Sequence, residues 1–206
     1  MSTVQDRLKE REMATGSAAP QGGALPETVQ NPVPTKSGRL RIDGAEVYYE
    51  IHGDGEPLLL IHGLGSCAAD WAPQIASFRT NYRVIAFDQR GHGRSSRPRG
   101  AYSIPRFAQD TVALLKELGI GPVHIVGLSL GGMVAFQLAV DAPELVKSMT
   151  IVNSGPEVPA LTFKQRMPLY VRLLYLHTLG LRRMAKAIGK TLYPKPEQAD
   201  LQKAFI

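Results

Sequence analysis

The N-terminal half of the chain contains two short segments in which apolar side chains recur at every second position. The segments are residues 40–42 and 47–51, and Asp43-Gly44 lies between them. A period of two is typical of a half-buried strand, and an Asp-Gly pair favours a tight hairpin turn. The pattern predicts an antiparallel β-hairpin, with ordered structure beginning near Arg39.

Short apolar runs then alternate with segments of helical periodicity. The runs predict buried strands at residues 57–61, 83–87, 123–126 and 148–152. One predicted helix follows the N-cap Ser103 and closes at Gly119, and a second helix spans residues 130–140. Strands that alternate with helices indicate an α/β fold with a mostly parallel sheet, to which the hairpin adds antiparallel strands.

Composition divides the chain into three parts. Residues 1–38 contain no aromatic residue and are rich in Pro, Gly, Ala, Ser and Thr, so we expect a disordered leader. Residues 39–156 hold the predicted sheet. Residues 157–206 show no strand pattern, and residues 161–190 within them predict two or three amphipathic helices, broken at Pro168 and Gly180.

The formal net charge of +6 is concentrated in the last of these parts. Between Glu157 and Glu197 there are eight basic residues and no acidic one. Such a stretch can serve a membrane surface or an acidic partner, but we favour a helical lid with a solvated basic face. The sequence contains no nucleic-acid-binding motif.

Cysteine usage and hydropathy bear on the compartment. Cys67 is the only cysteine, which excludes an internal disulfide and makes the reducing cytoplasm the default location. We expect Cys67 to be a small buried residue rather than a reactive thiol. No apolar run approaches the roughly 20 residues of a membrane-spanning helix. We therefore expect a cytoplasmic protein without a membrane span.

The strongest chemical signal is a Gly-x-Ser-x-Gly sequence centred on Ser129. It follows one predicted strand and opens a predicted helix, which is the setting of a nucleophile elbow. In an elbow the serine is held on a sharp turn, with its hydroxyl exposed above the sheet. Gly127 and Gly131 suit this turn because a Cβ atom there would collide with the closely packed strand and helix. Ser129 is therefore the candidate nucleophile.

A second element, His62-Gly63-Leu64-Gly65, follows the strand predicted at residues 57–61. A His-Gly loop in this position can aim a backbone N–H at a developing oxyanion. We expect the N–H groups of Leu64 and Leu130 to form the oxyanion hole. His62 is expected to fix the shape of the loop through a hydrogen bond rather than to carry a proton.

A third element runs from Asp88 to Ser95 and contains two glycines. Asp88 ends a predicted strand, and its expected role is to hold the turn that follows. We do not expect Asp88 or His92 to take part in catalysis.

These three elements, in this order and spacing, resemble the α/β-hydrolase superfamily. The resemblance covers roughly Leu40 to Val152 and is closest to the small esterase, enol-lactonase, haloperoxidase-like and carbon–carbon hydrolase branch. It implies a doubly wound sheet with a helical cap after the sixth strand. The implied reaction is acyl transfer to water through a serine-bound intermediate on a small or medium ester, lactone or related carbonyl substrate. The resemblance implies no metal and no organic cofactor.

The chain departs from the family pattern after the sixth predicted strand. Related enzymes continue past the cap with strands and helices that carry the acid and the histidine of the relay. His177 lies in an apolar helical pattern and is expected to pack or to face the lid surface. Glu157 follows the sixth strand and is a minor candidate for the orienting acid. We therefore expect a fragment or truncated product that lacks the last strands, with the histidine and acid beyond Ile206.

Two other readings of the sequence remain open. The first is a protein on the same fold that binds a small ligand without catalysis, because no base for Ser129 is evident. The second, more remote, is a dinucleotide-binding protein. Residues 63–68 fit Gly-x-Gly-x-x-Ala after a strand, and Asp88 ends the next strand where an acid would hold a ribose. That reading leaves the Ser129 motif unexplained.

Overall fold

The computed structural model describes residues 32–100, 102–156, 183, 186, 190 and 194–199. The chain divides into two compact units, Met1–Ser154 and Gly155–Ile206. Most of the predicted leader and most of the predicted cap lie outside the described residues. Within the cap region Arg183, Lys186 and Lys190 are helical and exposed, and Pro196–Gln198 forms a short 3₁₀ turn.

The chain opens with the predicted antiparallel hairpin. Strand β1, Lys36–Ile42, pairs with β2, Ala45–His52. Asp43 and Gly44 have φ angles of 40° and 75°, as a type I′ turn requires at both central positions. The hairpin prediction is confirmed. β1 begins three residues before Arg39, because the main chain of residues 36–38 already pairs with β2.

All four predicted buried strands form, as do the helix predicted after Ser103 and the helix predicted at residues 130–140, with small shifts in their ends. Their bounds are β3, Glu56–Ile61; β4, Tyr82–Phe87; α2, Ile104–Glu117; β5, Val123–Leu128; α3, Leu130–Asp141; and β6, Val146–Val152. One helix was not predicted: α1, Ala72–Phe78, preceded by a 3₁₀ turn at Ala68–Trp71. Its seven residues are too short for a helical hydrophobic period to stand out.

The six strands form one sheet in the order β1-β2-β4-β3-β5-β6. β2 pairs antiparallel with β4, while the pairs β3–β4, β3–β5 and β5–β6 are parallel. The predicted mostly parallel sheet with antiparallel N-terminal strands is confirmed.

Both faces of the sheet are covered, and β3 shows how. Leu59 and Ile61 point to a core that α2 and α3 cover. Leu58 and Leu60 point to a second core, which includes Trp71 and, from α1, Ile75. Successive side chains of a strand alternate between faces, so an unbroken apolar run satisfies both layers. The sheet is therefore doubly wound, as the resemblance implied.

Helix α2 is fixed at its start by a cap and in its middle by a buried ion pair. The Ser103 hydroxyl accepts a hydrogen bond from the Arg106 N–H, as predicted for the N-cap. Asp110 accepts two hydrogen bonds from the Arg90 guanidinium, and both side chains are almost completely buried. This pair joins α2 to the loop that follows β4.

The carboxyl ends of four parallel strands meet at one edge of the sheet. The residues that follow them are His62 after β3, Asp88 after β4, Ser129 after β5 and Asn153 after β6. Ligands of open α/β sheets bind outside this edge. No helix in the described part of the chain combines the length and the apolar character needed to cross a bilayer.

Candidate active site

Ser129 lies on a sharp turn between β5 and α3. Its backbone has φ 51° and ψ −113°, a conformation that costs a non-glycine residue on the order of 1 to 3 kcal/mol. Its N–H donates to the carbonyl oxygen of Val152 at 3.0 Å, and its own carbonyl accepts from the N–H groups of Gly132 and Met133. These bonds hold the strained backbone while the residue itself stays exposed.

Close packing around the turn explains its glycines. A Cβ atom on Gly131 would collide with the carbonyl of Ile61 at the end of β3. A Cβ atom on Gly127 would lie 2.6 Å from the carbonyl oxygen of Gly131. Both separations are shorter than real Cβ contacts, so only glycine lets α3 start this close to β3 and β5.

Sequence reasoning missed two residues that support this turn. The Ser154 hydroxyl donates a hydrogen bond to the carbonyl oxygen of Ser129 at 2.6 Å. A Cβ atom on Gly132 would lie 2.5 Å from the Cβ of Ser154, so Gly132 leaves the room that Ser154 occupies. In the sequence, the second glycine of the Gly131-Gly132 pair was the signal that another residue packs closely here. Its partner, Ser154, follows β6 and could not be identified from the motif.

The loop after β3 lies against Ser129. A Cβ atom built on Gly63 would stand 3.5 Å from the Cβ of Ser129. The carbonyl of Gly63 accepts from the Ser66 N–H at 3.3 Å, and Gly65 has φ 75°, which together make a tight turn around Leu64. The structure thus brings the predicted oxyanion loop and the predicted nucleophile together.

The imidazole of His62 is neutral and supports this loop through hydrogen bonds. The Gln89 N–H donates to Nε2 of His62 at 3.0 Å, so Nδ1 carries the proton and donates it to the carbonyl of Gly63 at 2.8 Å. The Gln89 side-chain amide also donates to the carbonyl of His62 at 2.8 Å. Burial lowers the pKa of His62, which is fully inaccessible to solvent. Its hydrogen bonds are those of a residue that shapes the loop. Gln89 is a further supporting residue that sequence reasoning missed.

Asp88 is fully buried, and its carboxylate is occupied by backbone donors. It accepts from the N–H of Ala68 and from the N–H of Arg94, each at 2.7 Å. A Cβ atom on Gly93 would collide with this carboxylate, so the glycine-rich turn wraps closely around it. A buried carboxylate with these partners is not available to a ribose. The geometry therefore contradicts the dinucleotide-binding reading at the residue on which it depended.

An open cavity of about 520 Å³ lies beside the loop and the start of α3. Leu64 and Leu130, whose N–H groups are the predicted oxyanion donors, both line it. Tyr102 and Phe107 form an aromatic wall, with ring centroids 6.3 Å apart. Its volume lies within the usual range of small-molecule sites.

The described residues contain no base hydrogen-bonded to Ser129. Of the four described histidines, His92 lines the cavity, and its Nδ1 donates to the carbonyl of Arg90 at 3.1 Å. His124 pairs with Glu56 at the opposite edge of the sheet. Glu157 and His177 lie outside the described residues. No group of three His, Cys, Asp or Glu side chains in the described part of the chain is arranged to hold a metal ion.

Comparison with curated proteins gives relatives named as hydrolases. "Putative carbamate hydrolase RutD" of Variovorax paradoxus (strain S110) is 41% identical over 152 residues, covering 72% of this chain and 56% of the relative. (E)-2-((N-methylformamido)methylene)succinate hydrolase of Acinetobacter baylyi is 39% identical over 106 residues, covering 52% of this chain and 40% of the relative. The chain spans about half the length of the curated relatives it matches.

Comparison with solved structures and with family models agrees on the fold. Est816, described as an N-acyl homoserine lactone degrading enzyme, superposes with a TM-score of 0.62 and 32% identity over 82% of this chain and 64% of its own. Residues 56–180, more than half of the chain, match the family model described as alpha/beta hydrolase fold. With the doubly wound sheet and the Ser129 turn, this match shows that the chain belongs to the α/β-hydrolase family.

Proposed function

We propose that this protein is a serine hydrolase that cleaves a small or medium ester, lactone or related carbonyl compound through an acyl-serine intermediate. In this proposal Ser129 is the nucleophile, and the backbone N–H groups of Leu64 and Leu130 stabilise the oxyanion. Gly63, Gly127, Gly131 and His62 keep the two loops in position.

The strained backbone of Ser129 is the observation that carries the proposal. A serine with no chemical task has no reason to occupy a left-handed φ on a turn between strand and helix, because glycine would do so without strain. The residue is exposed, and the neighbouring loop lies so close that a Cβ atom on Gly63 would be in van der Waals contact with it. The elbow and the loop whose amides are the proposed oxyanion donors therefore lie next to each other.

In the proposed reaction, the Ser129 oxygen attacks the carbonyl carbon and its proton passes to a base. The carbonyl π electrons move to the oxygen, which the two N–H groups stabilise. When the tetrahedral intermediate collapses, the bond to the leaving group breaks and that group takes up the proton. Water then attacks the acyl-serine by the same steps and releases the acid and the free serine.

The proposed reaction requires a base that takes the proton of Ser129. A serine hydroxyl needs one, since it is a weak nucleophile while protonated. We propose that the base lies outside the described residues, because none of the described imidazoles hydrogen-bonds to Ser129. Glu157 stays a candidate for the acid that orients it.

The names of the relatives support the carbonyl class of substrate. RutD is named for a carbamate, and Est816 is described as degrading a lactone. Carbamates and lactones share with esters a carbonyl carbon that bears a leaving group, so one nucleophile and one oxyanion hole serve all three. Those names refer to those proteins, and for this chain the substrate class is our proposal.

The proposal is tested by labelling with a fluorophosphonate, which reacts covalently with activated serines. We expect the intact mass to rise by one adduct, and peptide mapping to place the adduct on Ser129. Ser129→Ala should abolish labelling. Ser148→Ala, which removes an exposed serine at the far end of β6, should leave it unchanged. A folded protein that remains unlabelled would refute the proposal.

A second candidate function is ligand binding without catalysis. It is favoured by the absence, among the described residues, of a base hydrogen-bonded to Ser129. This alternative predicts that small carbonyl compounds bind in the cavity, that no fluorophosphonate adduct forms, and that no ester is turned over. Robust labelling of Ser129 excludes it.

A further inference from the structure

The arginines that follow β4 differ in whether a carboxylate pairs with them. Arg90 is paired with buried Asp110. Arg94 pairs with Asp88 and Glu50 at 3.5 Å and lies over the ring of Tyr48. Arg97 lines the cavity beside Leu130, and within the described residues no carboxylate pairs with it. Within the part of the chain that the structure describes, the cavity is therefore lined by a cation without a counter-ion.

The backbone next to Arg97 is held in place rather than free. The Tyr102 hydroxyl donates to the carbonyl of Pro98 at 2.9 Å, which anchors the residue directly after Arg97. A Cβ atom on Gly91 would lie 2.6 Å from the Tyr102 ring, so glycine is needed for the ring to lie there. These contacts fix the backbone beside Arg97, whose exposed side chain lines the cavity.

The remaining walls are largely apolar, and none of the described residues that line them is acidic. Leu64, Ile104, Phe107 and Leu130 contribute hydrocarbon or aromatic surface. A ligand that matches both features is a small amphipathic molecule with an apolar body and one anionic group. A carboxylate fits the planar guanidinium best, since the two can form a pair of parallel hydrogen bonds.

We propose that this cavity selects substrates that carry a carboxylate, and that Arg97 is the residue that recognises it. That the bound molecule is a substrate rests on the proposed function of Ser129. Binding of a carboxylate at Arg97 does not depend on that function. The apolar body of the molecule packs against Phe107 and Leu130, and its reactive carbonyl faces the Leu64 loop. Arg97 acts as a specificity residue, favouring anionic over neutral compounds of the same shape.

Binding to the Ser129→Ala protein, measured by isothermal titration calorimetry, tests the inference without turnover. The probes are 4-phenylbutyrate and 4-phenylbutanamide, which differ in charge but not in shape. We expect the carboxylate to bind about five- to tenfold more tightly than the amide, as for a charge-assisted hydrogen bond at a partly exposed site. Arg97→Gln should remove this preference, and Arg97→Lys should restore part of it.

Arg99→Gln is the matched control. Arg99 is an exposed arginine two residues away that lines a different cavity, so its replacement changes the net charge equally. It should leave the preference intact. Equal binding of the two probes, binding of neither, or equal losses in Arg97→Gln and Arg99→Gln would each overturn the inference.

The same proteins with Ser129 intact separate this inference from the proposed function. A carboxylate preference that depends on Arg97, in a protein that fluorophosphonate does not label, supports the anion site and refutes the hydrolase. Labelling of Ser129 without any carboxylate preference supports the hydrolase and refutes the anion site.

Discussion

The hydroxyl of Ser154 donates a hydrogen bond of 2.6 Å to the carbonyl oxygen of Ser129. The N–H of Ser129 donates to the carbonyl of Val152, so residues 152–154, at the end of β6, bind both polar backbone groups of the elbow residue. The two serines are 25 positions apart in the chain. We infer that Ser154 is a positioning residue for the strained turn.

Ser154→Ala should slow fluorophosphonate labelling of Ser129 several-fold and lower the free energy of unfolding by about 1 kcal/mol. Alanine keeps the Cβ that packs on Gly132 and removes only the hydroxyl, so the loss reports the hydrogen bond. The measurements are the labelling rate and urea unfolding. Ser148→Ala, at the other end of β6, should leave the labelling rate unchanged. An unchanged rate in Ser154→Ala as well would show that the turn does not need this bond.

Gly131→Ala should be among the more damaging single-methyl changes in the sheet region. The added Cβ would collide with the carbonyl of Ile61, and this backbone cannot move without disturbing β3. We expect a loss of about 2 to 3 kcal/mol in urea unfolding. Gly119→Ala is the control, because Gly119 has φ 62° but open space around it. Its cost should be about 1 kcal/mol, from backbone strain alone. Equal losses would mean that crowding at Gly131 is relieved by small shifts.

Asp110→Asn should destabilise the fold by about 3 kcal/mol, because it leaves the buried Arg90 guanidinium without a counter-charge. Glu117→Gln, an exposed change in the last turn of the same helix, should change stability by less than about 0.5 kcal/mol. The double change Arg90→Met with Asp110→Leu should cost less than Asp110→Asn alone. If the double variant is the least stable of the three, the ion pair stabilises the fold more than an apolar pair would. The cost of Asp110→Asn would then not come only from leaving one buried charge unpaired.

Stability should fall as the pH drops below about 6.5, the ordinary pKa of histidine. Burial lowers the pKa of both His52 and His62 in the folded protein. The unfolded chain therefore takes up protons that the folded chain does not, and acid favours unfolding. Urea midpoints at about pH 7.5 and about pH 5.5 measure the effect. A midpoint that is equal or higher at the acid pH would contradict it.

His52→Leu tests the contribution of one of these residues. His52 is almost completely buried, and neither ring nitrogen has a hydrogen-bond partner in the part of the chain that the structure describes. Leucine cannot be protonated, so the variant should lose less stability between the two pH values than the natural chain. An identical pH dependence would assign the acid sensitivity to His62 and to the carboxylates.

Local patterns in the sequence determined the secondary structure and the fold class. The Asp43-Gly44 turn, the Ser103 cap and the β3 run each act through neighbours in the chain, and each forms as predicted. Helix α1 was missed because a seven-residue helix has too few turns to display a period. The position of Ser129 between a strand and a helix could be predicted from the motif alone, because a nucleophile elbow is a local strand–turn–helix unit.

Only the tertiary structure decided which groups meet at the carboxyl ends of the strands. The pairs Ser154–Ser129, Arg90–Asp110 and Asp88–Ala68 join segments at least 20 residues apart. These contacts depend on the order β4-β3-β5-β6, which packing of the whole sheet selects. The same holds for Arg97, since the sequence shows an arginine but not whether a carboxylate reaches it. The sequence determines which side chain stands at each position. The hydrogen-bond or ion-pair partner of that side chain depends on which strands and helices pack against it.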